Sequence, residues 1–204
     1  MAQQSLFLSD SESEDIQLED AHLRYFPHFL DEKKADLALQ QLLSETAWRQ
    51  EEIRIAGIAR KQPRLSAWLG DPNAHYSYSG LHLAPSPWTP TILQLRREIQ
   101  DLCLCTFNSV LLNLYRDQQD AMGWHSDDEK ELGSQPNIAS LSLGASRQFL
   151  LKHKTKKDQR YSMALQHGSL LLMSGNTQSH WLHSIARETT PCAARINLTF
   201  RHII

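Results

Sequence analysis

Arg195-Ile196-Asn197-Leu198-Thr199-Phe200-Arg201 alternates without a break. Successive side chains of a strand point to opposite faces, so Arg195, Asn197, Thr199 and Arg201 share one face and Ile196, Leu198 and Phe200 the other. An ordinary half-buried strand turns its polar face to water. Two arginines in line with Asn and Thr suit a second arrangement equally well, the mouth of a barrel in which they clamp a dicarboxylate. Arginine fits that task because its planar fork binds carboxylate bidentately and keeps its charge. On this stretch alone both readings stay open.

Two pieces upstream shift the balance. Trp124-His125-Ser126-Asp127 contains an H-x-D pair, and His180-Trp181-Leu182-His183 supplies a distal histidine. His125 and Asp127 lie two apart on an extended segment, so their side chains can converge on one ion. Two histidines and one carboxylate leave half of an octahedral ion open, as a non-haem Fe(II) centre needs in order to hold a cosubstrate and O2 together. A structural zinc site is instead closed by four protein ligands. His180 and His183 compete for the third position, because their odd spacing places them on opposite faces of a strand. A dicarboxylate clamp beside such a centre points to 2-oxoglutarate.

The rest of the chain is consistent with one catalytic domain of residues 21–204 behind an acidic, disordered tail of residues 1–20. Its 204 residues bury an adequate core without splitting. No apolar run approaches the ~20 residues of a membrane span, and the N-terminus lacks the basic and apolar regions of a signal peptide. Cys103, Cys105 and Cys192 form no even disulfide framework and read as reduced thiols of a cytoplasmic protein, nuclear in a eukaryote. Residues 1–20 hold six acids and no base; the remainder carries 21 basic against 17 acidic side chains, although the whole chain has a net charge of −2. A mildly basic body is compatible with nucleic-acid binding. Ser9 to Asp20 is too polar and acidic to fold alone.

Asp31 is placed to cap a helix carrying Ala35, Ala38, Leu39, Leu42 and Leu43 at helical spacing, and Thr89-Pro90 opens a second with Ile92, Leu95, Ile99 and Leu102 on one face. Strands are expected at 110–115, 138–143, 148–153, 169–173 and 195–202. Several short strands with turns predict an α+β protein with a double-stranded β-helix (jelly-roll) core, braced from one side by the two N-terminal helices.

From Pro63 to Arg201 the chain resembles the AlkB family of Fe(II)/2-oxoglutarate-dependent nucleic-acid demethylases. The resemblance rests on an ordered set: Pro63-Arg64 with Gly70-Asp71, Tyr76-Ser77-Tyr78-Ser79-Gly80, Asn113-Leu114-Tyr115, His125-Ser126-Asp127-Asp128-Glu129, Ser140 to Phe149, His167-Gly168-Ser169-Leu170, His180 to Ser184, and the closing R-x-N-x-T-x-R. H-x-D alone would mean little; the ordered combination is specific. It implies Fe(II), 2-oxoglutarate and O2, with His125, Asp127 and His183 as metal ligands and catalytic residues, His183 being favoured over His180 by its H-S-I context. It implies that Asn113 and Tyr115 help bind 2-oxoglutarate. Arg195 would meet the distal carboxylate and Arg201 the metal-chelating end, with Asn197 and Thr199 supporting.

The implied reaction is oxidative demethylation of 1-methyladenine and 3-methylcytosine in DNA, with RNA left open, releasing formaldehyde, succinate and CO2. Arg64, Tyr76, Tyr78, Asp128 and Glu129 are the implied substrate contacts. Tyr78 and His125 would form aromatic walls for a flipped base, and carboxylates would favour the cationic methylated forms. Arg64 and the stretch Lys152 to Lys157 are candidate phosphate contacts, although a solvated hairpin turn explains the lysines equally well. Gln3-Gln4-Ser5-Leu6-Phe7 resembles a peptide that docks bacterial repair proteins on the sliding clamp; a stray apolar patch is the plainer reading. The chain departs from relatives that probe duplexes, because Ile55-Ala56-Gly57-Ile58 stands where they carry a bulky wedge, which argues against efficient duplex repair. A monomer is expected. A hydroxylase of protein or lipid, or a binding module that has lost its iron, are the other readings.

Overall fold

The structure is a computed structural model that describes residues 13–55, 58–74, 76–78, 81–83 and 85–204, without the side chains of 54–55, 76–78 and 81–83. The chain opens with β1 (Glu14–Leu18), β2 (Ala21–Phe26) and α1 (Glu32–Glu45). Two short hairpins and a longer strand follow: β3 (Glu52–Ile55) with β4 (Ile58–Lys61), then β5 (Leu65–Gly70), then β6 (Tyr76–Tyr78) with β7 (Leu81–Leu83). After α2 (Pro90–Cys103) come β8 (Ser109–Tyr115), β9 (Met122–His125), β10 (Ile138–Gly144), β11 (Arg147–His153), β12 (Arg160–Leu165) and β13 (Ser169–Ser174). The short helix α3 (Thr177–His180) leads into β14 (Trp181–Ile185), and β15 (Arg195–Arg201) is the last strand.

These strands form a seven-stranded sheet in the order β1-β2-β13-β10-β15-β8-β5 facing a four-stranded sheet in the order β12-β11-β14-β9. That is the expected jelly roll. Asp31 caps α1 through Lys34 N–H, and Thr89 caps α2 ahead of Pro90. Ala35, Ala38 and Leu42 of α1 and Ile92, Leu95 and Ile99 of α2 are buried in one core with Leu112, Leu141, Ile196, Leu198 and Phe200 from the large sheet. Leu43 of the expected α1 stripe is 40% exposed and stays outside it. Among the described residues no helix is long and apolar enough to cross a membrane, and the three cysteines are free and partly buried.

Because the helices cover the outer face of the large sheet, its inner face must meet the small sheet. β15 is therefore buried on both sides: Ile196, Leu198 and Phe200 pack on the helices, while Arg195, Asn197 and Thr199 face inward, each under a tenth exposed. Burial of the three apolar side chains contributes about 1.5–3 kcal/mol each. That offsets the cost of drawing a guanidinium out of water.

The expected tail ends earlier than residue 20, because Glu14–Leu18 is a strand paired with β2. Three of its acids are paired: Asp15 with Arg24, and Glu19 and Asp20 both with the Lys156 ammonium. Ile16 and Leu18 pack against the core between the sheets. Composition alone could not show these partners, of which Lys156 lies far away in sequence. Residues 3–7, and Ala56 and Gly57, lie outside the described residues.

Candidate active site

β9 and β14 pair antiparallel with His183 directly opposite His125, and the register then shifts before Ile185 meets Met122. Such an irregularity re-aims side chains beside functional sites. Asp127 follows two residues after His125, outside any strand. Ligand atoms of His125, Asp127 and His183 all lie within 4.8 Å of one another. His183 Nε2 stands 3.9 Å from Asp127 Oδ2, beyond hydrogen-bond reach yet matched to an ion with bonds of about 2.0–2.2 Å to each.

The protonation states fit a metal. His125 Nδ1 lies 2.9 Å from Gly123 carbonyl oxygen; a carbonyl only accepts, so Nδ1 is the donor and Nε2 is the atom left to face an ion. Burial pushes the His183 pKa down to about 3, helped by His125 and opposed by Asp127, so this ring is neutral over the physiological range. Burial alone would raise the Asp127 pKa, but the charge of Arg201 holds it below the usual carboxylate range. Arg201 Nη2 donates to Asp127 Oδ1 and fixes one side of the carboxylate.

The wall beside these ligands comes from β8, β10 and β15, whose pairing sets Asn197 against Asn113 and Ser142, and Arg195 against Tyr115. Arg195 leans along its strand: Nη2 donates to Asn197 Oδ1 (2.8 Å) and Ser142 Oγ (2.9 Å). Nε and Nη1 are buried and meet no hydrogen-bond acceptor among the described residues, nor does Nε of Arg201. A buried donor without a partner costs about 1–3 kcal/mol, so two such donors on one cation mark the place of an anionic ligand. Burial lowers the Arg195 pKa only to about 10, with Tyr115 opposing, and the group remains charged at neutral pH. Asn197 is fixed in turn, its Oδ1 accepting from Ser140 and its Nδ2 donating to Thr199.

Arg64 is placed otherwise than as a phosphate contact. It is buried behind β8, where Nε donates to Asn113 Oδ1 at 2.8 Å. With Oδ1 engaged, Asn113 must turn its Nδ2 donors toward the cavity. The local fold causes this: Pro63 carbonyl accepts from Ala121 N–H, and the chain beside it runs against the strand carrying Asn113. Asp128 is exposed but held by Lys154 at 2.8 Å, Glu129 is half-buried, and neither lines the cavity beside the metal ligands. Tyr76 and Tyr78 lie in β6, their side chains outside those described. His180 stands with the His153 ring, outside the three-residue group.

Two residues escaped the sequence reading. Arg147 is fully buried, donates to the carbonyls of Asp117, Asp120 and Ala186, and lies 5.5 Å from the Tyr115 ring that Arg195 also covers. Its alternation with Phe149 and Leu151 was the signal, because that period places it on the inner face. Gln178 accepts from Asp127 N–H; nothing in its neighbourhood of the sequence announces this.

The family model described as the 2OG-Fe(II) oxygenase superfamily matches residues 22–201. Human "DNA oxidative demethylase ALKBH2" is 38% identical over 181 residues, covering 84% of this chain and 69% of that protein. The chain belongs to the 2OG-Fe(II) oxygenase superfamily, in its AlkB branch. Mouse and human "Alpha-ketoglutarate-dependent dioxygenase alkB homolog 3" are each 41% identical over 187 residues, or 87% of this chain; the chain spans 65% of their length. Among solved structures, that of OsALKBH1 superposes with TM-score 0.65 at 19% identity, over 93% of this chain and all of that one. A Trichoplax adhaerens prolyl hydroxylase superposes with TM-score 0.62 at 13% identity, over 89% and 83%. Both carry the same fold. The superfamily implies Fe(II), 2-oxoglutarate and O2, and the three ligands and the orphaned arginine donors fit the ion and the dicarboxylate.

Proposed function

We propose that this chain is a 2-oxoglutarate-dependent dioxygenase that demethylates 1-methyladenine and 3-methylcytosine in DNA, releasing formaldehyde, succinate and CO2. The observation that carries the reading is the buried Arg195, two of whose donors meet no acceptor among the described residues, on the sheet that faces the strands of the two histidines. A bound Fe(II) ion would couple oxidative decarboxylation of 2-oxoglutarate to hydroxylation of the N-methyl carbon, after which the unstable product sheds formaldehyde.

The chain's own residues do the rest. Nε2 of His125 and His183 and a carboxylate oxygen of Asp127 would hold the ion, leaving its remaining positions to ligands. Arg201 keeps Asp127 ionised and turned toward that place. Arg195 offers Nε and Nη1 to a distal carboxylate, and Asn113, locked by Arg64, adds an amide donor. Phe149 and Ile185 of the small sheet and Met173 of the large one line the cavity with apolar surface and keep water from the reacting carbon.

Support for nucleic acid comes from relatives and surface together. The human and bovine relatives at 38% identity are DNA oxidative demethylases by name. Trp124, 41% exposed, immediately precedes His125 and lies under the Lys152 ammonium at 4.4 Å. Exposed Arg160 pairs across the ladder with Lys152, and Lys157 is also exposed. A cationic surface with an aromatic suits a nucleic-acid strand whose target base is flipped inward. Docking on a sliding clamp through residues 3–7, and action as a monomer in the cytoplasm or nucleus, belong to the same reading.

The test is mass spectrometry of single-stranded and duplex oligonucleotides bearing 1-methyladenine after incubation with Fe(II) and 2-oxoglutarate. Loss of the methyl group, faster on single strands, is expected. Consumption of 2-oxoglutarate with every methylated base intact would leave the oxygenase standing and remove the nucleic-acid substrate.

A further inference from the structure

Asp127 needs an anchor that its own segment does not supply. It lies past the end of β9, where no strand pairing fixes the backbone. Its N–H donates instead to Gln178 Oε1 at 2.9 Å, and Gln178 is 1% exposed. An N–H only donates, so the amide orientation is settled: oxygen to Asp127, nitrogen toward Met173 Sδ at 3.5 Å in the cavity wall. Gln178's own carbonyl accepts from Lys154 Nζ at 2.9 Å, and the same ammonium binds Asp128 at 2.8 Å. Residues 127 and 128 are thus both tied to α3, one through an amide and the other through an ammonium.

The helix they are tied to is itself fixed. Thr177 Oγ1 donates to Ser174 carbonyl at 2.6 Å and accepts from His22 N–H at 3.0 Å, joining α3 to β13 and β2 of the large sheet. Five residues after Gln178 the chain reaches His183. The distance between the H-x-D segment and the distal histidine is therefore set through one buried side chain.

We propose that Gln178 is a positioning residue for the metal site, and that with Lys154 it clamps Asp127 and Asp128 to the strand that carries His183. The inference rests on the metal-site reading given above. It assigns to Lys154 an internal task rather than a phosphate contact. Groups that orient a metal ligand typically cost 10–100-fold in metal affinity when removed.

The experiment is anaerobic titration of the full chain with Mn(II), followed calorimetrically, together with the visible spectrum of the Co(II) form. Gln178→Met keeps length and burial but removes the acceptor; Lys154→Met releases Asp128 and the Gln178 carbonyl. Gln178→Met should bind Mn(II) about 10–100-fold more weakly than the parent, with altered Co(II) bands, and Lys154→Met should show a smaller loss in the same direction. Parent-like affinity and an unchanged Co(II) spectrum in Gln178→Met overturn the clamp. If Gln178→Met does not fold, unchanged Mn(II) affinity in Lys154→Met overturns it. A parent that binds no Mn(II) removes the metal site and the clamp together, whereas parent binding with indifferent variants removes the clamp alone.

Discussion

Replacing Arg195 by Met separates ligand binding from stability in a way that few substitutions in a core do. Arg195 is 1% exposed, and two of its donors meet no acceptor among the described residues. Removing the cation relieves about 1–3 kcal/mol for each unsatisfied buried donor, against the loss of bonds to Ser142 and Asn197 worth about 1.5–3 kcal/mol each. These nearly cancel, and replacement of a buried ion by an apolar group of similar volume is often neutral. The apo variant should therefore melt within a few degrees of the parent.

Ligand binding responds differently. At a 2-oxoglutarate concentration 100-fold above Kd, mass action stabilises the parent by about 2.7 kcal/mol, which for a chain of this size raises Tm by roughly 5–11 °C. Loss of a buried carboxylate partner costs about 3–5 kcal/mol, or more than 100-fold in affinity. Thermal melts of the Mn(II) form with and without 2-oxoglutarate read both numbers. The parent should show the rise and Arg195→Met almost none. A variant that keeps the full ligand-induced rise would refute the assignment of Arg195 to the dicarboxylate.

Arg64→Met should raise the KM for 2-oxoglutarate about tenfold at nearly unchanged kcat in steady-state assays, because Asn113 loses one charge-assisted bond worth about 1.5–3 kcal/mol and is freed to flip. A Cβ on Gly144, at φ +92°, would collide with the Ala194 carbonyl beside Arg195, so Gly144→Ala should lower stability by about 2 kcal/mol or more in urea melts, through both strain and collision. Burial pushes the Asp120 pKa up, but hydrogen bonds and charge from Arg116, with Arg147, hold it below its usual value. A lowered carboxylate pKa stabilises above the unfolded value near 4 and loses that contribution as the pH falls through the folded one. Asp120→Asn should thus be less stable than the parent at pH 7 in urea melts, with the gap narrowing below about pH 4.

Local features carried much of this fold. The caps at Asp31 and Thr89 and the stripes behind them predict α1 and α2 because the forces involved act within one or two turns. The alternation of β15 shows two faces, but whether its polar face meets water or a second sheet depends on what lies opposite, and that is a tertiary fact. Glu14–Leu18 shows the same limit: its charge reads as tail, and only its pairing with β2, with Asp15 met by Arg24, makes it a strand. Short strands such as β9 and β14 carry too few residues for a period to stand out.

At the site, His125 and Asp127, with His180 or His183 as the third ligand, could be proposed because ligand chemistry demands those residue types, and the resemblance favoured His183. Arg64 and Gln178 could not be placed, because their roles consist of hydrogen bonds to groups about 50 positions away. Arg147 lay between these cases: its strand period was visible, but its carbonyl partners were not.

The central claim is that the space between the two sheets holds a metal through His125, Asp127 and His183 and a dicarboxylate through Arg195 of the facing sheet, and uses both to demethylate a base. The most direct measurement is simultaneous release of formaldehyde and succinate from a single-stranded oligonucleotide bearing 1-methyladenine, with Fe(II) and 2-oxoglutarate, by the parent and by Asp127→Ala. The account predicts equal amounts of both products from the parent and neither from the variant. Formaldehyde release that survives in Asp127→Ala, or its absence from the parent, would contradict it.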